Sequence, residues 1–154
     1  MTAISSLGSF VKVGSIVSGA YSAPTALVGE LVGINLDGMK LTTIDVSTMT
    51  DRHRRFAAGM IDSGSISIEV NYDADDAQQV TVLEQLDVTA ATTAPVLKSW
   101  LVSFGTATAG LNVGSTFACI GFVTDFSVKG SMDTALTASI TVKISGSVDF
   151  TDVD

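Results

Sequence analysis

The chain has 154 residues, 46% of them hydrophobic and 16% charged, with 8 Lys and Arg against 16 Asp and Glu for a net charge of −8. That length suits one domain with a proper core, and the acidic balance argues against a nucleic-acid binder that works by neutralising phosphates. A lone cysteine, Cys119, excludes an intramolecular disulfide, and no apolar run approaches the length of a membrane span.

Residues 1–27 mix Ser, Gly and Ala with Pro24 and show no sustained period. With one lysine (Lys12) and interrupted apolar residues they make a poor secretory signal, so the chain reads as cytoplasmic when made. Yet Leu7, Phe10, Val11, Val13, Ile16, Val17 and Tyr21 are too many apolar groups for a solvated tail. This arm is expected to bury itself on its own domain or on a neighbour, ordering on assembly, with Phe10, Val13, Ile16 and Tyr21 making the contacts. A single β-domain is expected over residues 28–150, followed by an acidic end at 151–154.

Val28 to Asn35 reads as a strand, Leu36 to Met39 as a turn with the Asp-Gly hairpin signal, and Lys40 to Ser47 as the returning strand. Thr48 to Ser63 has neither strand nor helix period and is expected as a long loop. The cleanest alternation follows, with Ile66, Ile68, Val70 and Tyr72 on one face and Ser65, Ser67, Glu69 and Asn71 on the other. Asp73, Asp75 and Asp76 open a short helix, one of them as N-cap, with Ala77, Val80, Leu83 and Leu86 or Asp87 as its stripe.

Ala90 to Pro95 is a linker, and Val96 to Phe104 a strand presenting Trp100, Val102 and Phe104. Gly105 to Gly114 reads as a turn region. Thr116 to Val128 is a long strand with Ala118, Ile120, Phe122, Phe126 and Val128 on one face. After a turn at Gly130 to Thr134, the last strand points Leu136, Ala138, Ile140, Val142 and Ile144 inward and Thr137, Ser139, Thr141 and Lys143 outward. The fold class is mainly β, an antiparallel sandwich or barrel with one flanking helix.

The ingredients of catalysis are scarce. His53 is the only histidine, which rules out a His-rich metal site, and three neighbouring arginines disfavour its imidazolium. No Gly-x-Ser-x-Gly elbow, P-loop or dinucleotide fingerprint occurs. The Asp73, Asp75, Asp76 cluster lacks the glycine at the sixth position of a calcium loop and fits a helix N-terminus better. Neither enzyme activity, cofactor nor metal is expected.

The stretch Asp51-Arg-His-Arg-Arg-Phe56 is the one basic cluster in an acidic chain. Its arginines either recognise phosphate or carboxylate on a partner or form a solvated loop that contributes little. Phe56, Met60 and Ile61 lie in the same segment and favour a partner. Asp51, Arg52, His53, Arg54, Arg55, Phe56, Met60 and Ile61 are therefore the candidate interface. Carboxylates on other copies of this acidic chain suit the arginines better than nucleic acid does. A monomeric β-domain binding an acidic ligand, such as a polysaccharide or DNA, is the alternative from a different class.

The order of these segments resembles the tail tube proteins of long-tailed bacteriophages. The matching pieces are Val28 to Ile34, Thr43 to Thr48, Phe56 to Gly64, Ser65 to Asp73, Thr116 to Val128 and Ala138 to Gly146. The resemblance implies a tail-tube-like β-fold assembled into homo-hexameric rings that stack head to tail as a hollow virion tail. Double-stranded DNA would pass through the lumen without specific binding. Further partners would be tape measure, tail terminator and baseplate or tip proteins, with no membrane contact. Contractile-tail and type VI secretion tubes share the implied fold.

Overall fold

The computed structural model describes residues 8–84, 97–108 and 111–151. In chain order the strands are β1 (Phe10–Ser15), β2 (Ala26–Leu27), β3 (Leu31–Asp37), β4 (Lys40–Asp45), β5 (Phe56–Asp62) and β6 (Ser65–Asn71). Helix α1 (Ala77–Glu84) follows, then β7 (Lys98–Thr108), β8 (Leu111–Lys129), β9 (Thr137–Ile144) and β10 (Asp149–Thr151). Eight strands form one antiparallel sheet in the order β2-β1-β7-β8-β9-β6-β3, with β10 added on β8, while β4 and β5 pair only with each other.

The long strand β8 serves both halves of that sheet. Leu111 to Gly121 pair with β7, and Gly121 to Lys129 pair with β9. Gly121 stands at the hand-over, where a Cβ would sit 2.6 Å from the Lys143 carbonyl oxygen. Only glycine allows that approach. The indole N–H of buried Trp100 donates to the Gly121 carbonyl at 3.3 Å and ties β7 to the same point. Val11, Val13, Trp100, Val102 and Cys119 from one half meet Ile66, Ile68, Val70, Val123, Ala138, Ile140, Val142 and Ile144 from the other in a single core. The sheet is thus bent at β8 into a sandwich, and each large side chain in its core stabilises by roughly 1.5–3 kcal/mol.

The expected arm contributes structure of its own to this domain. Val11 and Val13 alternate with Lys12 and Gly14, and β1 pairs with β7 from Phe10↔Ser103 to Ser15↔Lys98. Phe10 among the outward positions and Ser15 in the inward row had hidden that alternation. Phe10 is half-buried with Lys12 Nζ 5.1 Å from its ring centre, Val13 is in the core, and Ile16 and Tyr21 are half-buried. Pro24 is buried over Gly14, whose missing Cβ makes the room. Leu7 lies outside the described residues.

Several local expectations need correcting. β3 and β4 are not a hairpin: β3 pairs with β6 and β4 with β5. The Asp-Gly turn instead passes the chain out of the sheet, and Gly38 (φ 82°) faces Gly64 (φ 83°), which brings it back. The loop expected over 48–63 ends early, because Phe56–Asp62 is strand β5. In β8 the inward groups before Thr124 are Cys119, Gly121 and Val123 rather than Ala118, Ile120 and Phe122. A bulge between Val123 and Asp125 then switches the phase, so Phe126 packs on the core as expected while Val128 is exposed. The region 105–114 is mostly strand, with β7 running to Thr108 and β8 starting at Leu111. Leu136 is half exposed rather than inward.

The helix also turns a different face to the core. Asp76 is its N-cap, its Oδ1 accepting from the N–H groups of Gln78 (2.8 Å) and Gln79 (3.1 Å) and its Oδ2 from Gly29 N–H (3.1 Å). Among its described side chains Gln79 and Val82 are buried, whereas Ala77 is exposed and Val80 is 39% exposed; the side chain of Leu83 lies outside that description. Gln79 replaces an apolar anchor because its carboxamide accepts from Asp73 N–H (3.0 Å) and donates to the Asn71 carbonyl (3.0 Å). Leu86, Asp87 and the 90–95 linker lie outside the described residues, as do residues 152–154 of the acidic end.

Candidate assembly surfaces

The β4–β5 ribbon carries the basic cluster at its tip. Its own residues cannot make a core, since every β4 side chain is exposed and only Gly59 of β5 is half covered. An isolated two-stranded ribbon is marginal in water, so its loop is closed by local polar bonds. Val46 N–H donates to the Arg55 carbonyl (2.9 Å) and Arg55 N–H to Ser47 Oγ (2.8 Å). Half-buried Asp51 is a loop staple, accepting from Thr48 N–H (2.9 Å) and Thr48 Oγ1 (3.0 Å).

The remaining candidates stand in solvent. Arg52, His53, Arg54 and Arg55 are exposed, and the one ion pair among the described residues joins Lys143 to Asp62 elsewhere. Phe56, Met60 and Ile61 are 58%, 85% and 72% exposed. Met39, Leu41, Ile44, Val46 and Met49 are exposed apolar groups of the same ribbon and were missed, because alternation in Lys40 to Ser47 does not show that both faces are bare and a turn or loop methionine carries no pattern. Such an apolar ribbon around a basic tip is far from the surface of an ordinary monomer.

At the ribbon's root, Lys143 Nζ donates to Asp62 Oδ1 at 2.8 Å, and Ser63 Oγ donates to the Gly146 carbonyl. The lysine's hydrogen bond is the main reason the Asp62 carboxyl titrates below its ordinary 3.8, helped by Gly64 N–H. Both partners are substantially exposed, 40% and 58%, so the pair positions the root more than it stabilises the fold.

A second surface lies on the outside of β3, β6, β9 and the far half of β8. Two polar rows that are separate in sequence turn out to be one face, since β6 and β9 pair as Ser65↔Lys143, Ser67↔Thr141, Glu69↔Ser139 and Asn71↔Thr137. Asn35 and Asp37 join it from β3, opposite Ser67 and Ser65, and Ser127 joins from β8, opposite Ser139. Asp125 and Lys129 share it, opposite Thr141 and Thr137, so the face is small, hydroxyl-rich and weakly acidic, with Lys143 held by Asp62. Its two borders are bare: among the described residues nothing pairs with the outer edge of β3, or with β8 beyond Val123 on the side away from β9.

Chemistry of other kinds finds little footing. Among the described residues no group of three or more His, Cys, Asp or Glu could hold a metal, and no helix is long and apolar enough to cross a membrane. Burial raises the Cys119 thiol to about 11, which makes it a small core group rather than a nucleophile.

Comparison with known proteins agrees with a structural part. No curated protein sequence matches the chain. Among solved structures it is similar to the sheath/tube terminator of the PVC extracellular contractile injection system, with TM-score 0.74, 13% identity and 98% of each chain covered. It is similar also to the SPP1 tail tube, with TM-score 0.65, 12% identity, and 98% of this chain and 80% of that one covered. A third is the tail of an empty GTA particle refined with C6 symmetry, with TM-score 0.59, 14% identity, and 92% of this chain and 95% of that one covered. At these identities the likeness is one of fold. The profile described as "Phage tail tube, TTP, lambda-like" matches residues 16–153. The chain belongs to that family of structural tail tube proteins, components of the tails of phage and phage-like particles.

Proposed function

We propose that copies of this chain close into hexameric rings that stack into a hollow tube, the conduit for double-stranded DNA leaving the capsid. The observation that carries this reading is the polar face of β3, β6, β9 and β8 with a bare strand edge on each side. The two edges differ, so their meeting is a heterologous contact, which closes into a ring when the rotation permits. Edge-to-edge pairing between neighbours would satisfy backbone groups that otherwise face water. Six copies is supported by the C6 symmetry of the GTA tail, whose fold this chain shares.

Ring closure of this kind turns Ser67, Glu69, Ser139 and Thr141 toward the lumen. Hydroxyls and carboxylates dominate this face, Lys143 is engaged by Asp62 and Lys129 stands at its margin, so DNA phosphates would meet few cations to displace counterions and would slide past without sticking. The basic tip, Asp51 to Phe56 with Met60 and Ile61, serves subunit contacts away from the channel. Phe10, Val13, Ile16 and Tyr21 brace the sheet behind it. Tape measure, terminator and baseplate or tip proteins complete the machine. The family match, to a phage tail tube, favours DNA over a protein cargo.

Negative-stain microscopy of the purified protein at rising concentration tests the reading. Hollow tubes of uniform width are expected. A monomer at every concentration, with salt-sensitive binding of a polyanion, would support the monomeric ligand-binding alternative instead.

A further inference from the structure

Methionine is among the residues most often fully buried, yet among the described residues the core holds none. The chain has five methionines, and the four described ones, Met39, Met49, Met60 and Met132, are 58%, 107%, 85% and 93% exposed. We propose that Met49, Met60 and Met132 are oxidation sites, and that their conversion to the sulfoxide by a peroxide stops copies of the chain from assembling while the domain stays folded. The inference rests on the tube reading above and adds a chemical control to it.

Position decides what each thioether can meet. The ribbon leaves and re-enters the sheet where β3 ends and β6 begins, at Asp37↔Ser65. There Met39 and Met60 share an open groove of about 600 Å³ with Ile61, Ile144 and Val148. Met49 stands farther out, in the loop between β4 and β5. Met132 is in the β8–β9 turn, at the opposite end of the strands, where β6 ends and β9 begins at Asn71↔Thr137. That is the acidic end of the domain, with Glu30, Asp73, Asp75 and Asp133 exposed around it. Thioethers therefore mark bare apolar surface at both ends of the strands. An unbranched, polarizable side chain fits a partner of irregular contour, which suits surfaces that stay wet until another copy arrives.

The step needs only the thioether and the peroxide. A lone pair on Sδ attacks one peroxide oxygen and the O–O bond breaks. The proton of the transferred oxygen goes to the departing hydroxide, which leaves as water. Sulfur loses two electrons and the peroxide gains them, and an apolar side chain becomes a polar, chiral sulfoxide. In the free chain that oxygen is hydrated, so the domain loses nothing. Pressed against an apolar neighbour it must shed its water, and without a donor it carries the cost of an unpaired buried acceptor. The same reagent finds no purchase in the core, which is built from Val, Ile, Ala and Trp100, with the Cys119 thiol only 3% exposed. Assembly is thus sensitive to oxidation where folding is not.

Dilute hydrogen peroxide, applied to the free chain below its assembly concentration, tests the inference. Peptide mass mapping should find one added oxygen on Met49, Met60 and Met132 ahead of Met39, and none on Cys119, with an unchanged circular dichroism spectrum. On concentration, the sedimentable tube fraction should fall at least tenfold, and the two methionine sulfoxide reductases, one for each epimer, should restore it. M39L/M49L/M60L/M132L nearly keeps side-chain volume and should assemble equally with and without peroxide. In tubes already formed, the wild-type methionines should oxidise at least tenfold more slowly than in the free chain. Oxidised wild type that assembles normally, tubes whose Met49, Met60 and Met132 all react as fast as in the free chain, or a leucine variant that peroxide still disables would overturn the inference while the tube reading stands. Should the wild-type chain form no tubes at all, both fall together.

Discussion

Gln79 offers a sharp test of how the acidic end of the domain is held. It is 1% exposed, and its carboxamide bridges Asp73 N–H and the Asn71 carbonyl, both at 3.0 Å, with a weaker donation to the Gly29 carbonyl at 3.5 Å. Q79L nearly keeps the volume but strips the two good hydrogen bonds. An unsatisfied buried backbone group costs about 1–3 kcal/mol. Asp73 is exposed and Asn71 half-buried, so water recovers part of that loss. The net cost should be roughly 2–3 kcal/mol, taken from the low end of the same range for two groups. For a domain of this size that corresponds to a fall in Tm of about 5–10 °C. Urea or thermal unfolding, followed by circular dichroism below the assembly concentration, reads it directly, with V80Q on the exposed side of α1 as a control expected within about 0.5 kcal/mol. A Q79L chain as stable as wild type would refute the bridging role and make Gln79 mere packing.

Deleting Thr124 alone leaves Val123 and Phe126 two positions apart on one face of a regular strand and should be tolerated, whereas deleting both Thr124 and Asp125 makes them adjacent, so that they can no longer both face the core. Loss of one such side chain costs about 1.5–3 kcal/mol and strain adds to it, so limited proteolysis should cut the double deletion well before wild type. The Asp62 carboxyl, lowered chiefly by Lys143, should titrate below 3.8 by carbon-detected NMR, and K143Q should bring it up. Its folded value is depressed, so the contact is complete above pH 3.8 and is lost as pH falls through the lower folded value. In the native protein Cys119, raised to about 11, should resist alkylation at pH 8 and react only after unfolding.

What could be read from the residues depended on contrast between the two faces of a strand. β6 and β9 were legible because Ile and Val alternate with Ser, Thr and Glu, and half-burial demands that alternation. β5 was not, since Ala57, Ala58 and Gly59 offer no contrast and both faces of the ribbon are exposed. Alternation says which way a side chain points, and nothing about which strand lies beside it. Hence β3 was given β4 as partner when it has β6, and the two polar rows of β6 and β9 stayed separate. The phase change in β8 arises from one unpaired residue, which a period-2 pattern cannot show. Gln79 was passed over because a polar residue reads as solvent-facing until the backbone groups it satisfies are known. The basic cluster was visible at once, as three arginines in four positions, but its setting on an apolar ribbon came only with the fold.

The central claim is that the polar face of β3, β6, β9 and β8 lines a channel closed by its two bare edges. Helical reconstruction of the assembled protein by cryo-electron microscopy decides it. The account predicts six copies per ring, Ser67, Glu69, Ser139 and Thr141 facing the lumen, and the outer edge of β3 in one copy beside β8 beyond Val123 in the next. A reconstruction with that face on the outside of the tube, or with those edges apart, would contradict it.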